Sequence, residues 1–205
     1  MTADIPTRRR GPYRKSDGRR RAILAAALQV FSSSGYRAGS LRDIGMVAGI
    51  DPSSILHHFP TKEALLQAVL EDKEEHDLEN LPSPEQVAPR DIPTALLRLA
   101  ERNDRVPDAV ALYAVLAAES TTAGHPSAEY FRMRTERTRR DFRELFEHMD
   151  AAGLLAEGID PEYAARSTFA MWDGIQTHWL IDRTAVSVTD TLRRHLQSIT
   201  RVSEI

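Results

Sequence analysis

Residues 40–62, SLRDIGMVAGIDPSSILHHFPTK, hold two short helices and the turn between them. Ser40 precedes Asp43 by three positions, the spacing at which two side chains cap a helix start reciprocally. Leu41, Ile44, Val47 and Ala48 then recur at helical spacing and predict one inward face. Gly49 stands where a chain leaves a helix through a left-handed residue, since it has no Cβ to clash there. Asp51 and Pro52 follow as an N-cap and a first helical residue whose missing N–H costs nothing. Ile55 and Phe59 anchor the second helix, leaving Pro52, Ser53, Ser54, Leu56, His57 and His58 to face outward. Two short helices joined by a turn of about 3–4 residues form a helix-turn-helix, whose second helix enters the DNA major groove.

Upstream, residues 19–34 form an expected helix with Ile23, Ala26, Ala27, Val30 and Phe31 inward, ending at Gly35. It packs across the two short helices and completes a core with Ile44, Val47, Ile55 and Phe59. Residues 1–18 carry Arg8, Arg9, Arg10, Arg14 and Lys15 among Pro and Gly, and are expected to be a flexible basic arm. Thr61 caps a fourth helix with Ala64, Leu65, Ala68 and Val69 on its apolar side.

Gly35-Tyr36, Ser40-Leu41-Arg42-Asp43-Ile44, Ala48-Gly49-Ile50 and residues 56–65 (LHHFPTKEAL) resemble the N-terminal signature of the tetracycline-repressor (TetR) family. Asp173-Gly174-Ile175-Gln176 and Trp179-Leu180 resemble the C-terminal half of one common bacterial branch. Gly45 stands where that family usually has Ala, and Leu56-His57 replace a frequent Tyr pair, moving its phosphate contact onto His57 and His58. The resemblance implies a homodimer joined through its last two helices and a ligand cavity among the middle ones. Tyr113, Phe142, Trp172, Gln176 and His178 are residue types suited to that cavity, though each taken alone reads better as plain core packing or a dimer contact.

Charge is unevenly spread. Residues 1–60 hold 10 Lys and Arg against 4 Asp and Glu, whereas the rest hold 17 against 26. A basic end on an acidic body points to a polyanion partner. The chain of 205 residues has no Cys, which excludes disulfides, thiolate nucleophiles and Cys-ligated metals. The longest apolar run, residues 109–118, is shorter than the roughly 18 residues that span a bilayer, so no membrane association is expected and the location read is cytoplasmic. Phosphate-binding glycine loops, G-x-S-x-G elbows and H-E-x-x-H helices are all missing, so the chain does not read as an enzyme and no cofactor is expected.

After a proline-rich loop at residues 80–90, further helices are expected over 91–105, 107–119, 126–152, 161–181 and 188–202. The class is all-α, about nine helices: an arm at 1–18, a helix-turn-helix domain at 19–66, and a larger helical ligand-binding and dimerisation domain at 67–205. The function read is a sequence-specific DNA-binding transcription regulator, a ligand-responsive homodimeric repressor of double-stranded operator DNA. The alternatives are a non-specific or architectural DNA-binding protein, and a helical carrier or enzyme with a vestigial DNA-binding head. Ser40 is expected at a phosphate and Arg42 at a phosphate or guanine. Pro52, Ser53 and Ser54 are expected at base edges, with His57, His58 and Lys62 on the backbone.

Overall fold

The computed structural model describes the backbone of residues 12–78 and 85–205, and the side chains of 17–72 and 85–205. Nine α-helices occur among the described residues: α1 Pro12–Ala38, α2 Leu41–Ala48, α3 Pro52–His58, α4 Lys62–Leu78, α5 Ile92–Asn103, α6 Pro107–Ser120, α7 Ala128–Ala151, α8 Pro161–Ile181 and α9 Val188–Ile199. A short 3-10 turn, Pro89–Asp91, precedes α5. No strand is present among these residues, only one isolated antiparallel bridge between Leu155 and Thr200.

Helix α1 begins at Pro12, ahead of the start at 19 expected from sequence; residues 1–11 of the expected arm lie outside the described residues. Pro12 heads the helix without loss because a first-turn N–H has no partner to give up. The helical path breaks at Gly35, at φ 75 and ψ 169, where the chain turns before α2.

Two apolar clusters hold the molecule together. In the first, Ile23, Ala27, Val30 and Phe31 of α1 meet Ile44, Ile55, Phe59 and the α4 residues Leu65, Leu66, Val69 and Leu70. Leu112 and Leu116 of α6 and Phe131 of α7 belong to this same cluster, so the amino-terminal unit is built directly onto α6. The second cluster joins α5, α7, α8 and α9 through Leu96, Phe142, Phe146, Trp172, Leu192 and Leu196. The outer face of α7 is laced with ion pairs, Arg132 with Glu129 (2.6 Å) and Glu136 (2.8 Å), and Arg143 with Glu147 (3.3 Å). These two arginines are thereby balanced locally, as on an ordinary solvated helix face.

The α8–α9 seam expected between two copies serves mainly within one protomer: Trp172, Trp179, Val188, Leu192, Leu196 and Ile199 are all buried there. The outward face of α8 instead shows Tyr163, Ala170, Gly174 and Ile181.

Candidate nucleic-acid interface

The two short helices are closed by the caps the sequence encodes. Ser40 and Asp43 exchange backbone N–H bonds, each 3.1 Å. The Ser40 hydroxyl also donates to Asp43, holding that carboxyl below its usual range. Gly49 sits at φ 64 in the left-handed region. Asp51 accepts the Ser53 N–H at 2.8 Å and its hydroxyl as well, which likewise holds its carboxyl below the usual range. The turn is closed by the Ile50 N–H donating to Gly45 O at 2.9 Å. A Cβ on Gly45 would come within 2.6 Å of Ile50 O, so the two helices meet at a separation only Gly permits.

Helix α3 is held by Ile55 and Phe59, both buried, and turns its remaining side chains out. Ser53 and His57 are exposed; Pro52, Ser54 and His58 are half-buried at its edge. The imidazoles of His57 and His58 stand edge to face, 6.0 Å apart. Arg42 is exposed on α2, and Ser40 is half-buried with its hydroxyl proton committed to Asp43. Lys62 is committed too: its Nζ donates to Arg37 O at 3.3 Å and lies 4.4 Å from the Tyr36 ring centre. Burial lowers its pKa, with Glu63 and Glu119 working against that shift.

Val47 differs from expectation. It is 48% exposed, beside Met46 at 69%, because Ile44 and Gly45 form the inner face of α2. With Leu56, outward as expected, at 43%, the head therefore carries three exposed apolar groups. Such groups are suited to thymine methyls in a major groove.

Behind the head lies a joint that the sequence did not disclose. Glu119, near the end of α6, accepts the Tyr36 N–H at 2.9 Å through Oε2. Its carboxylate occupies the space left by the missing side chain of Gly35. His125 is buried, with its ring edge-on to Tyr36 at 5.4 Å. Its Nδ1 accepts the Ser127 N–H at 3.3 Å, which assigns the ring proton to Nε2, 3.6 Å from Glu119 Oε2. Burial, and then the hydrogen bond with Glu63, push the Tyr36 phenol above its usual range.

A cavity of about 150 Å³ opens among α5, α6, α7 and α8. Tyr113, Ala117, Phe131, Arg134, Asp173 and Gln176 are among its walls. Of the residues suited by type to a ligand pocket, Tyr113 and Gln176 line it. Phe142 and Trp172 stack in the second core at 6.1 Å, and His178 is exposed on α8. A wider cleft of about 750 Å³ separates α1 and α4 from α5 and α6, floored by Leu24, Leu28, Leu99 and Val106. Among the described residues no three His, Asp or Glu side chains converge as a metal site would require, and no helix is long and apolar enough to cross a membrane.

Comparison with known proteins adds to this geometry. Residues 23–69 match the family model described as bacterial regulatory proteins, tetR family, and residues 95–198 match the AefR-like transcriptional repressor, C-terminal domain. The HTH-type transcriptional regulator RutR of Escherichia coli strain K12 is 42% identical over 57 residues, 28% of this chain and 27% of RutR. The match thus spans about a quarter of that relative's length. Salmonella enterica GusR superposes with a TM-score of 0.67 at 27% identity, over 88% of this chain and 94% of GusR. A TetR-family regulator from Agrobacterium tumefaciens gives 0.74 at 21% identity, over 90% of this chain and 98% of that one, a likeness of fold.

Proposed function

This chain belongs to the TetR family of bacterial regulatory proteins, and from that premise we propose that it is a homodimeric, sequence-specific repressor of operator DNA, released by a small effector. The observation that carries the reading is α3 itself: two buried anchors hold it, and Ser53, Leu56 and His57 are turned outward. Pro52, Ser53 and Ser54 meet base edges, Arg42 reads a guanine or grips a phosphate, and His57 and His58 set the head on the backbone, with Ser40 joining once its hydroxyl leaves Asp43. Lys62 joins them only by leaving the Arg37 carbonyl and the Tyr36 ring.

One head supplies too few base contacts for selective binding among competing genomic sites. A second copy joined at the outward face of α8 sets two recognition helices about 34–36 Å apart, one turn of the duplex. Gly174 has no neighbour within 4 Å of where its Cβ would be, which favours close approach of a partner helix at that point.

Release follows from the construction of α6. Tyr113 and Ala117 face the cavity, Leu112 and Leu116 lie in the head's core, and Glu119 holds the Tyr36 backbone. An effector that favours a displaced α6 favours a displaced head, and the spacing of the two recognition helices no longer fits.

Selection from a random DNA pool with the purified full chain tests the reading. The enriched sequence is expected to bind at least about 10³-fold more tightly than random DNA at the same salt. Equal affinity for both would make the protein a non-specific DNA binder instead.

A further inference from the structure

The cavity behind the head has a chemical character of its own. Its volume, about 150 Å³, equals that of an engineered apolar cavity that takes up benzene. A single small ring or its equivalent fits that space. Tyr113 and Phe131 meet edge to face at 5.9 Å, and the Tyr113 hydroxyl is bonded to that of Tyr130 at 3.0 Å. These rings are fixed walls that need not reorganise to receive an apolar body. Asn103, Gln176 and Thr177 add a few neutral polar groups.

Two charged side chains complete the lining. Arg134 lies with its guanidinium 4.5 Å from the Tyr113 ring centre, so the electron-rich face of that ring already holds a cation. Asp173 stands across the cavity on α8 as an exposed residue at its rim. No ion pair to Asp173 occurs among the described residues within 4.0 Å. The surrounding protein raises its carboxyl above the usual range and Arg134 offsets this only in part. Arg134 is turned to an aromatic face and acts on Asp173 only from beyond ion-pair distance. Among the described residues the Asp173 carboxylate therefore has no ion-pair partner and is open to an entering cation.

We propose that this cavity binds a small organic cation, an aromatic or compact alkyl amine whose ammonium pairs with Asp173 while its apolar body lies against Tyr113 and Phe131. This deepens the reading of the chain as an effector-released regulator and names the chemical class of the effector. The entering cation competes with Arg134 for the Tyr113 face, and the guanidinium moves outward. Tyr113 and Ala117 share α6 with Glu119, so occupancy of the cavity is felt at the joint that holds the head.

Calorimetry on the full chain with three probes of matched size tests the class: benzylamine, benzyl alcohol and benzoate. Benzylamine is expected to bind about tenfold or more tightly than either of the others, as befits one charge-assisted contact. D173N is expected to erase that preference, and R134Q to leave benzylamine binding intact or stronger. The probe ranking on the unaltered protein decides the class even if D173N does not fold. Benzoate as the tightest probe, lost in R134Q, would make this an anion site and overturn the proposal, as would equal binding of all three or of none. Operator affinity measured with and without benzylamine separates this from the function proposed above. Binding without release leaves the cation site standing and removes its effector role; binding by a chain that enriches no operator leaves the site standing and removes the regulator.

Discussion

Replacing Gly35 by Ala strains the backbone and expels a carboxylate in one step. Gly35 sits at φ 75 and ψ 169, a region essentially reserved to Gly, and holding Ala there costs about 1–3 kcal/mol. The added Cβ would come within 2.5 Å of Glu119 Oε1, a flexible end that swings away. With it goes the acceptor of the Tyr36 N–H at 2.9 Å, and a hydrogen bond to a charged group is worth about 1.5–3 kcal/mol. The two effects bring the expected loss to about 2.5–6 kcal/mol, a large part of the roughly 5–15 kcal/mol of a folded domain. Urea unfolding at one fixed protomer concentration measures it, because a dimer's stability depends on concentration. The mechanism predicts more than a total. In a Glu119→Ala background the obstructing carboxylate is gone, so Gly35→Ala should cost only its backbone strain. The double variant is therefore expected to fall short of additivity by at least about 1 kcal/mol. Strict additivity, or a Gly35→Ala loss below about 1 kcal/mol, refutes the account of the joint.

Gly45→Ala sets a gain in helix propensity of about 1 kcal/mol against a Cβ 2.6 Å from the Ile50 carbonyl, and overpacking against backbone costs about 1–3 kcal/mol. A net loss with weakened operator binding is expected; a rise in melting temperature would show that the turn yields freely. Arg42→Ala, at an exposed position, should leave stability within about 0.5 kcal/mol while costing operator affinity about 1–3 kcal/mol if it reads a guanine. Superimposable isotherms would remove Arg42 from the interface. Hydrogen bonds from Ser40 to Asp43 and from Ser53 to Asp51 hold both carboxyls below their ordinary value of 3.8. Folded values lower than unfolded ones mean that the caps stabilise the head above that pH and fail as pH falls through the depressed values. Circular dichroism melts between pH 5 and 2 should therefore decline less steeply in an Asp43→Asn, Asp51→Asn variant than in the unaltered chain; equal slopes would contradict the cap assignment.

The short helices were legible because their ends are written in local chemistry. Ser40 with Asp43, Gly49, and Asp51 with Pro52 each act within three residues, and each is found in the role its type dictates. The same holds for α8, which keeps its expected bounds, Pro161–Ile181, with Asp160 accepting the Tyr163 N–H as N-cap and Pro161 opening the first turn. Helix α9 stops at Ile199, short of the expected 202, because Thr200 pairs with Leu155 from a distant turn. Val47 was misjudged since eight residues of α2 are too few for periodicity to choose between adjacent faces. The joint was invisible for a stronger reason: Tyr36 and Glu119 lie 83 positions apart, and nothing local marks Glu119 as a partner. Arg134 and Asp173 escaped likewise, since a charged residue on an amphipathic helix reads as solvated until the fold sets a ring or a cavity beside it.

Leu112 and Leu116 complete the apolar cluster of the first four helices, and that limits how the chain can be cut or recombined. An excised fragment ending near residue 70 would lose Leu112, Leu116 and Phe131 from the cluster that buries Phe31, Leu66 and Leu70, so the amino-terminal third is not expected to be a detachable cassette. A chimera that grafts this reading head onto another regulator's body must carry the matching face of α6, with Glu119, across the splice.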